Sequence, residues 1–292
     1  MWKRIKYFSK FFIKNRESRN ISRHMTTSTL NSVNETTKIE ERKIKIDDVD
    51  INYLRTGIGS HPVLLLPGAM GSIWTDFKPQ IDYLDKRKLT IICWDAPGYG
   101  KSRPPNRTFP LDFFRRDAAW ACNLMKTLGY EEFSLLGWSD GGITALILAA
   151  NYSKNIRKLI VTGTNAYIAP EELKIYEKIR NIDSWSNKMK TPFISLYGEE
   201  YFRRIWSDWV DGMKNIYDEK DGDICKSDLP KIKCPTLIIH GIKDAVVLRE
   251  HPDYLKANIS NSRMEIFQAG AHNLHLRYPD EFNALVSQFL TE

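Results

Sequence analysis

Hydrophobic residues fall along this chain in short unbroken runs that end in turn residues, with longer, periodically apolar stretches between them. The runs are "PVLLLPG" (62–68), "LTIICWDAPGYG" (89–100), "FSLLGWSDGG" (133–142), "IRKLIVTG" (156–163), "PTLIIHG" (235–241) and "SRMEIFQAG" (262–270). Continuous apolar runs of this length suit parallel strands covered on both faces. Ahead of them, "RKIKIDDVDINYLRTG" alternates apolar and polar positions on either side of "DDVD", which predicts an antiparallel hairpin. Residues 111–128, "LDFFRRDAAWACNLMKTL", carry apolar positions at three-and-four spacing and stop before Gly129, so they predict a helix, as do 141–152 and 279–290. Strands alternating with helices predict a mostly parallel, doubly wound α/β sheet.

Residues 165–230 break the alternation, because they hold no clear buried strand. Ten aromatics (Tyr167, Tyr176, Trp185, Phe193, Tyr197, Tyr201, Phe202, Trp206, Trp209 and Tyr217) are scattered there among charged residues. The expected organisation is an α/β core over 38–164 and 231–292, with a helical lid inserted at 165–230 above the carboxyl edge of the sheet, where ligands bind in open α/β folds. Most of the aromatics are expected to fill the lid's own core and a few to face a pocket.

Composition changes little of this picture, and charge changes one part of it. The formal net charge of +7 comes from residues 1–25, which hold eight Lys/Arg and one acid, Glu17. A basic excess confined to one terminal arm gives no basic face on the fold, so nucleic acid is not an expected partner. That arm interleaves its charges with Trp2, Ile5, Phe8, Phe11, Phe12 and Ile13. Residues 1–37 therefore read as an unfolded segment with the character of a mitochondrial transit peptide, the plainer alternative being a basic tail. Met25 offers a second start that would give a cytoplasmic form. No run of about 18 apolar residues occurs, so neither a membrane-spanning helix nor a membrane partner is expected. Cys93, Cys122, Cys225 and Cys234 have no paired spacing, which favours free thiols over zinc ligation or a disulfide framework.

The chemistry centres on Gly137-Trp138-Ser139-Asp140-Gly141. This G-x-S-x-G pentapeptide follows an apolar strand and opens a helix, the setting of a nucleophile elbow. A serine hydroxyl needs a histidine base and an acid to orient it. In this fold the order along the chain is serine, acid, histidine. His272, after the last expected strand in "QAGAHNLHL", is the base candidate, and neighbouring His275 reads as a helix-side or surface residue. Asp244 in "LIIHGIKDAVV" suits the acid, since the other usual position, in "VTGTNAY", holds no carboxylate. The oxyanion needs preorganised donors, each worth about 3–4 kcal/mol. The Asp140 N–H and one from "LLLPGAMGS", at Ala69 or Met70, are the candidates.

Asp140 raises a physical question, because ester hydrolysis develops negative charge beside it. Two unit charges about 4 Å apart in a partly screened site interact by roughly 4 kcal/mol. A substrate ammonium against Asp140 would cancel that repulsion, and an α-amino ester carries its ammonium one carbon from the scissile carbonyl. The plainer alternative is that Asp140 complements the positive end of its own helix.

"WDAPGYGKSRPP" matches the D-x-P-G-x-G-x-S loop of α/β-hydrolases. Together with "LLGWSDGGITALILAA", "SLYGEEYFRRIWSDWVDGM" and "GAHNLHLRYPDEFNALVSQFL", it resembles the biphenyl-hydrolase-like family, which includes valacyclovir hydrolase, over roughly residues 40–290. The resemblance implies an α/β-hydrolase fold and a mitochondrial serine hydrolase of α-amino-acid esters, with thiolactones as related acyl substrates. It implies that Ser139, Asp244 and His272 are the triad and that Asp140 holds the substrate's amino group. A small-molecule ester is then the expected partner, with no cofactor or metal, in a monomer. The rival activities are hydrolysis of carbon–carbon bonds in ring-fission products, whose dianionic substrates Asp140 would repel, and general carboxylesterase activity. Peptidases that bind a free amine usually use lid acids, of which Glu171, Glu199 and Glu200 are unassigned examples. A binding protein that keeps the fold without turnover is the non-enzymatic rival.

Overall fold

A computed structural model describes residues 38–292. The arm of residues 1–37, read above as an unfolded targeting segment, lies outside the described residues. Eight strands form one sheet: β1 (Ile39–Ile46), β2 (Val49–Thr56), β3 (His61–Leu66), β4 (Leu89–Trp94), β5 (Phe133–Trp138), β6 (Ile156–Thr162), β7 (Thr236–Gly241) and β8 (Ser262–Phe267). Their order is β1-β2-β4-β3-β5-β6-β7-β8. β1 pairs antiparallel with β2, and β2 with β4. From β4 to β8 every pairing is parallel.

Strand position explains the hydrophobic pattern. β4 and β7 are buried at every residue, whereas the edge strands β1 and β8 are partly or fully exposed at every residue but their last. Central strands need apolar residues on both faces, and edge strands on one. One face is covered by α1 (Ile73–Asp76), α2 (Lys78–Tyr83) and the last helix, which bring Phe77, Ile81, Phe282, Val286 and Phe289 against Leu65, Ile91 and Ile239. The other face is covered by α3 (Phe113–Thr127) and α4 (Asp140–Asn151). α4 is buried on all sides from Asp140 to Ala150, as its nearly uniform "ITALILAA" requires.

Between β6 and β7 the chain forms α5 (Pro170–Arg180), α6 (Asn187–Tyr197) and α7 (Glu199–Lys220). The insertion returns to the core through hydrogen bonds from Ile224 and Cys225 N–H to Ala166 O. A buried contact between Glu172 on α5 and His251 on α8 (Glu250–Asn258) joins the two a second time. α9 (Leu274–Arg277) and α10 (Pro279–Thr291) complete the chain. The mostly parallel doubly wound sheet is therefore present. The pattern reading missed α1, α2 and α8, which are too short for a clear apolar period. All four cysteines are free and buried.

The junction of β5 and α4 is packed against β3 by backbone alone. A Cβ on Gly141 would lie 2.0 Å from Leu66 O, and one on Gly137 would lie 2.4 Å from Gly141 O. Neither neighbour is a side chain that can swing aside. Gly141→Ala is therefore expected to destabilise the protein by about 3 kcal/mol or more, at the upper end of overpacking effects. Urea denaturation of both proteins measures this.

Candidate active site

Four loops leave the carboxyl ends of β3, β5, β7 and β8 and converge. β5 ends at Trp138, and the next residue, Ser139, takes φ 54° and ψ −124°. That region is sparsely populated for any residue with a side chain and costs roughly 1–3 kcal/mol. Local bonds hold it: Ser139 N–H donates to Thr162 O at 3.0 Å, while Ser139 O accepts from Gly142 N–H at 2.8 Å and Thr164 Oγ1 at 2.9 Å. The turn lifts the hydroxyl off the sheet at the start of α4.

His272 follows β8 and places Nε2 3.1 Å from Ser139 Oγ. Its Nδ1 lies 2.8 Å from Asp244 Oδ2. The other carboxylate oxygen of Asp244 accepts the N–H groups of Val246 at 2.9 Å and Val247 at 3.0 Å. The Asp244 side chain is only 1% exposed, against 20% for His272. Burial by itself would raise the Asp244 carboxyl, but the imidazole and the two backbone donors outweigh it and hold the group below its usual range. An ionised Asp244 accepts a hydrogen bond from Nδ1–H, which fixes the tautomer and leaves Nε2 as an acceptor facing the serine. Trp138 fixes the loop from below by donating Nε1–H to His272 O at 2.8 Å.

The loop after β3 supplies the opposite wall. Gly68 N–H is committed to Asp76 Oδ2 at 2.9 Å. Ala69 is partly buried and Met70 fully buried with φ 58°. Neither of their N–H groups meets an acceptor among the described residues outside regular elements. Asp140 N–H, first in α4, has no intrahelical acceptor. A Cβ on Gly68 would come within 3.2 Å of Ser139 Cβ, so this loop lies against the serine.

Asp140 does not point to solvent. Its residue is 9% exposed, and its Oδ2 accepts Trp209 Nε1–H from α7 at 2.8 Å. Oδ1 receives no donor among the described residues. Burial pushes the carboxyl up to about 7, an effect that the Trp209 bond only partly offsets. The guanidinium whose field reaches it, Arg107, is already paired with Asp117 through two hydrogen bonds of 2.8 and 2.5 Å. The site thus holds a buried carboxyl with no counter-ion of its own.

The structure brings Ser139, Asp244 and His272 into one hydrogen-bonded chain and sets Asp140, Ala69 and Met70 around the serine. His275, read as a helix-side or surface residue, is on a helix but fully buried, and its Nε2 donates to Asp76 O at 2.9 Å. The α9 turn folds inward against Phe77 and Trp138, and burial drives the imidazole down to about 3. Glu171, Glu199 and Glu200 are exposed and away from the serine's hydrogen-bond network. Sequence reasoning missed Asp76, whose setting "SIWTDF" gives no sign of a buried carboxylate. It included Trp209 and Tyr197 among the lid aromatics without separating them from the rest.

The raised Asp140 carboxyl has a consequence for stability. Its folded value of about 7 lies above the ordinary 3.8, so the folded protein binds the extra proton between those values. Its contribution is intact below about pH 4 and is lost as pH rises through about 7. Asp140→Asn should therefore raise the melting temperature relative to the parent protein, with the gain growing from pH 5 to pH 8 in scanning calorimetry.

Comparisons with known proteins identify the fold and the family. Residues 61–179 match the family model described as "alpha/beta hydrolase fold". The chain is 49% identical over 254 residues to serine hydrolase BPHL of Mus musculus, and 48% identical over the same length to that of Homo sapiens. Each alignment covers 87% of both chains. Among solved structures, 2-hydroxy-6-oxo-6-phenylhexa-2,4-dienoate hydrolase from Rhodococcus sp. strain RHA1 shares the fold, with a TM-score of 0.73 at 18% identity, over 87% of this chain and 99% of that one. The chain belongs to the α/β-hydrolase family, within its biphenyl-hydrolase-like (BPHL) group of serine hydrolases.

Proposed function

We propose that this protein hydrolyses esters of α-amino acids through an acyl-enzyme on Ser139. The observation that carries the reading is the buried, unneutralised carboxyl of Asp140, placed on the residue after the nucleophile. In the reaction Ser139 Oγ attacks the ester carbonyl carbon while His272 Nε2 takes the hydroxyl proton, and Asp244 stabilises the resulting imidazolium. The oxyanion is received by the Asp140 N–H and by an N–H of the Ala69–Met70 segment. Collapse of the tetrahedral adduct breaks the ester C–O bond, and His272 gives its proton to the departing alcohol. Water then attacks the acyl-enzyme with His272 as base, releasing the amino acid and restoring Ser139.

The ammonium next to the scissile carbonyl would meet Asp140 Oδ1. It would neutralise the carboxylate where the oxyanion develops, so its effect is larger in the transition state than in the ground state. A dianionic substrate would meet the opposite effect. Trp209, which bonds this carboxyl, is flanked by Trp206, stacked on it at 4.8 Å, and by Tyr176, edge-on to it at 5.0 Å. Aromatic faces also favour a cation.

The basic arm of residues 1–25 supports a mitochondrial location. Residues 1–37 fused ahead of a fluorescent protein should carry it into mitochondria, and a diffuse signal would favour the cytoplasmic form starting at Met25. For the activity, the p-nitrophenyl ester of valine should turn over at least about a hundredfold faster than its N-acetyl counterpart, a difference of roughly 2.7 kcal/mol. Asp140→Asn should erase that advantage, and Ser139→Ala should abolish both activities. Equal rates on the two esters would leave a general carboxylesterase.

A further inference from the structure

The oxyanion loop is held from two sides, and one of the holders belongs to the lid. Below the loop, Asp76 Oδ2 accepts Gly68 N–H and so fixes the Pro67–Gly68 peptide plane. Within it, Gly71 N–H donates to Gly68 O at 3.0 Å and fixes the Gly68–Ala69 plane. Above it, the Tyr197 hydroxyl lies 2.9 Å from Met70 O and 2.9 Å from Gly100 N. The directions are forced: Gly100 N–H can only donate and Met70 O can only accept, so the single hydroxyl hydrogen goes to Met70. Burial raises the hydroxyl well above its usual value, which keeps that hydrogen in place.

Tyr197 is the last residue of α6 and only 7% exposed. Its bond fixes the Met70–Gly71 plane at a residue that already holds the left-handed φ of 58°. With the planes on both sides fixed, the direction of the Ala69 and Met70 N–H groups is fixed too. The following helix, α7, carries Trp209, which bonds Asp140 on the other side of the serine. The lid therefore touches the site at both the anion end and the amine end.

We propose that Tyr197 is a positioning residue: by donating to Met70 O it orients the oxyanion donors, so that the hole is preorganised only while the lid is seated. The proposal rests on the reading of Ser139 as an acyl-transfer nucleophile and is independent of what Asp140 binds.

Tyr197→Phe removes the hydroxyl and keeps the ring beside Tyr201, 5.9 Å away. The test uses the complete chain with p-nitrophenyl acetate, which carries no amine, and with the valine p-nitrophenyl ester. Expected is a fall in kcat of about tenfold or more on both esters, equivalent to about 1.4 kcal/mol of transition-state stabilisation. KM should stay within about twofold. The Ki of phenylboronic acid, which forms a tetrahedral adduct on the serine, should rise by the same factor as kcat falls. KM and Ki do not depend on the folded fraction, so partial unfolding cannot imitate the pattern. An unchanged Ki, or a KM that rises as much as Ki, overturns the proposal. If the Asp140 reading fails instead, the parent protein shows equal rates on valine and N-acetylvaline esters while the Tyr197 pattern persists.

Discussion

A carboxyl that is buried without a counter-ion among the described residues, next in the chain to Ser139, is the constraint to which the rest of this site is fitted. Backbone geometry puts it there. The strained turn at Ser139 sends the chain directly into α4, so the next side chain, Asp140, starts inside the fold. The helix N-terminus favours negative charge, yet burial dominates and lifts the carboxyl to about 7. Arg107 is spoken for by Asp117, and Trp209 supplies one neutral donor. A cation entering the pocket would complete the charge balance that these residues leave open, which is the physical basis of the proposed preference for an amine-bearing ester.

The scaffold converts that local constraint into a shared one. Ser139, His272 and the Ala69–Met70 loop all leave the carboxyl edge of one mostly parallel sheet, and the inserted helices reach two of the same loops through Tyr197 and Trp209. Strain stored at Ser139 and Met70 persists because neighbouring elements over-determine both residues. The inserted helices are thus bonded to the loops that precede and follow Ser139 in space, through Met70 O and Asp140 Oδ2.

Much of this was legible in the sequence because it is local. Strand runs, the elbow and the turns carrying Asp244 and His272 are short patterns with direct physical causes, and the fold then joins positions 133 and 28 residues apart. What escaped is set by tertiary contact. Ten lid aromatics are scattered without a common spacing, so nothing in the pattern separates Trp209 and Tyr197, which reach the site, from Phe193 and Phe202, which stack on each other. His275 reads as a helix-side or surface residue until α9 turns it onto Phe77, and nothing in "SIWTDF" marks Asp76 as buried until Gly68 bonds to it.

The central claim is that Asp140 takes up a ligand's ammonium in its ionised form, and proton release on binding tests it most directly. L-valinol is an aliphatic amine that stays protonated at pH 7 and has no carbonyl to hydrolyse. Titrated into the protein at pH 7 in two buffers of different ionisation enthalpy, it should displace about half a proton per molecule bound, because a carboxyl near 7 is then half protonated. The release should vanish in Asp140→Asn. Binding without proton release, or identical release from the variant, would contradict the account.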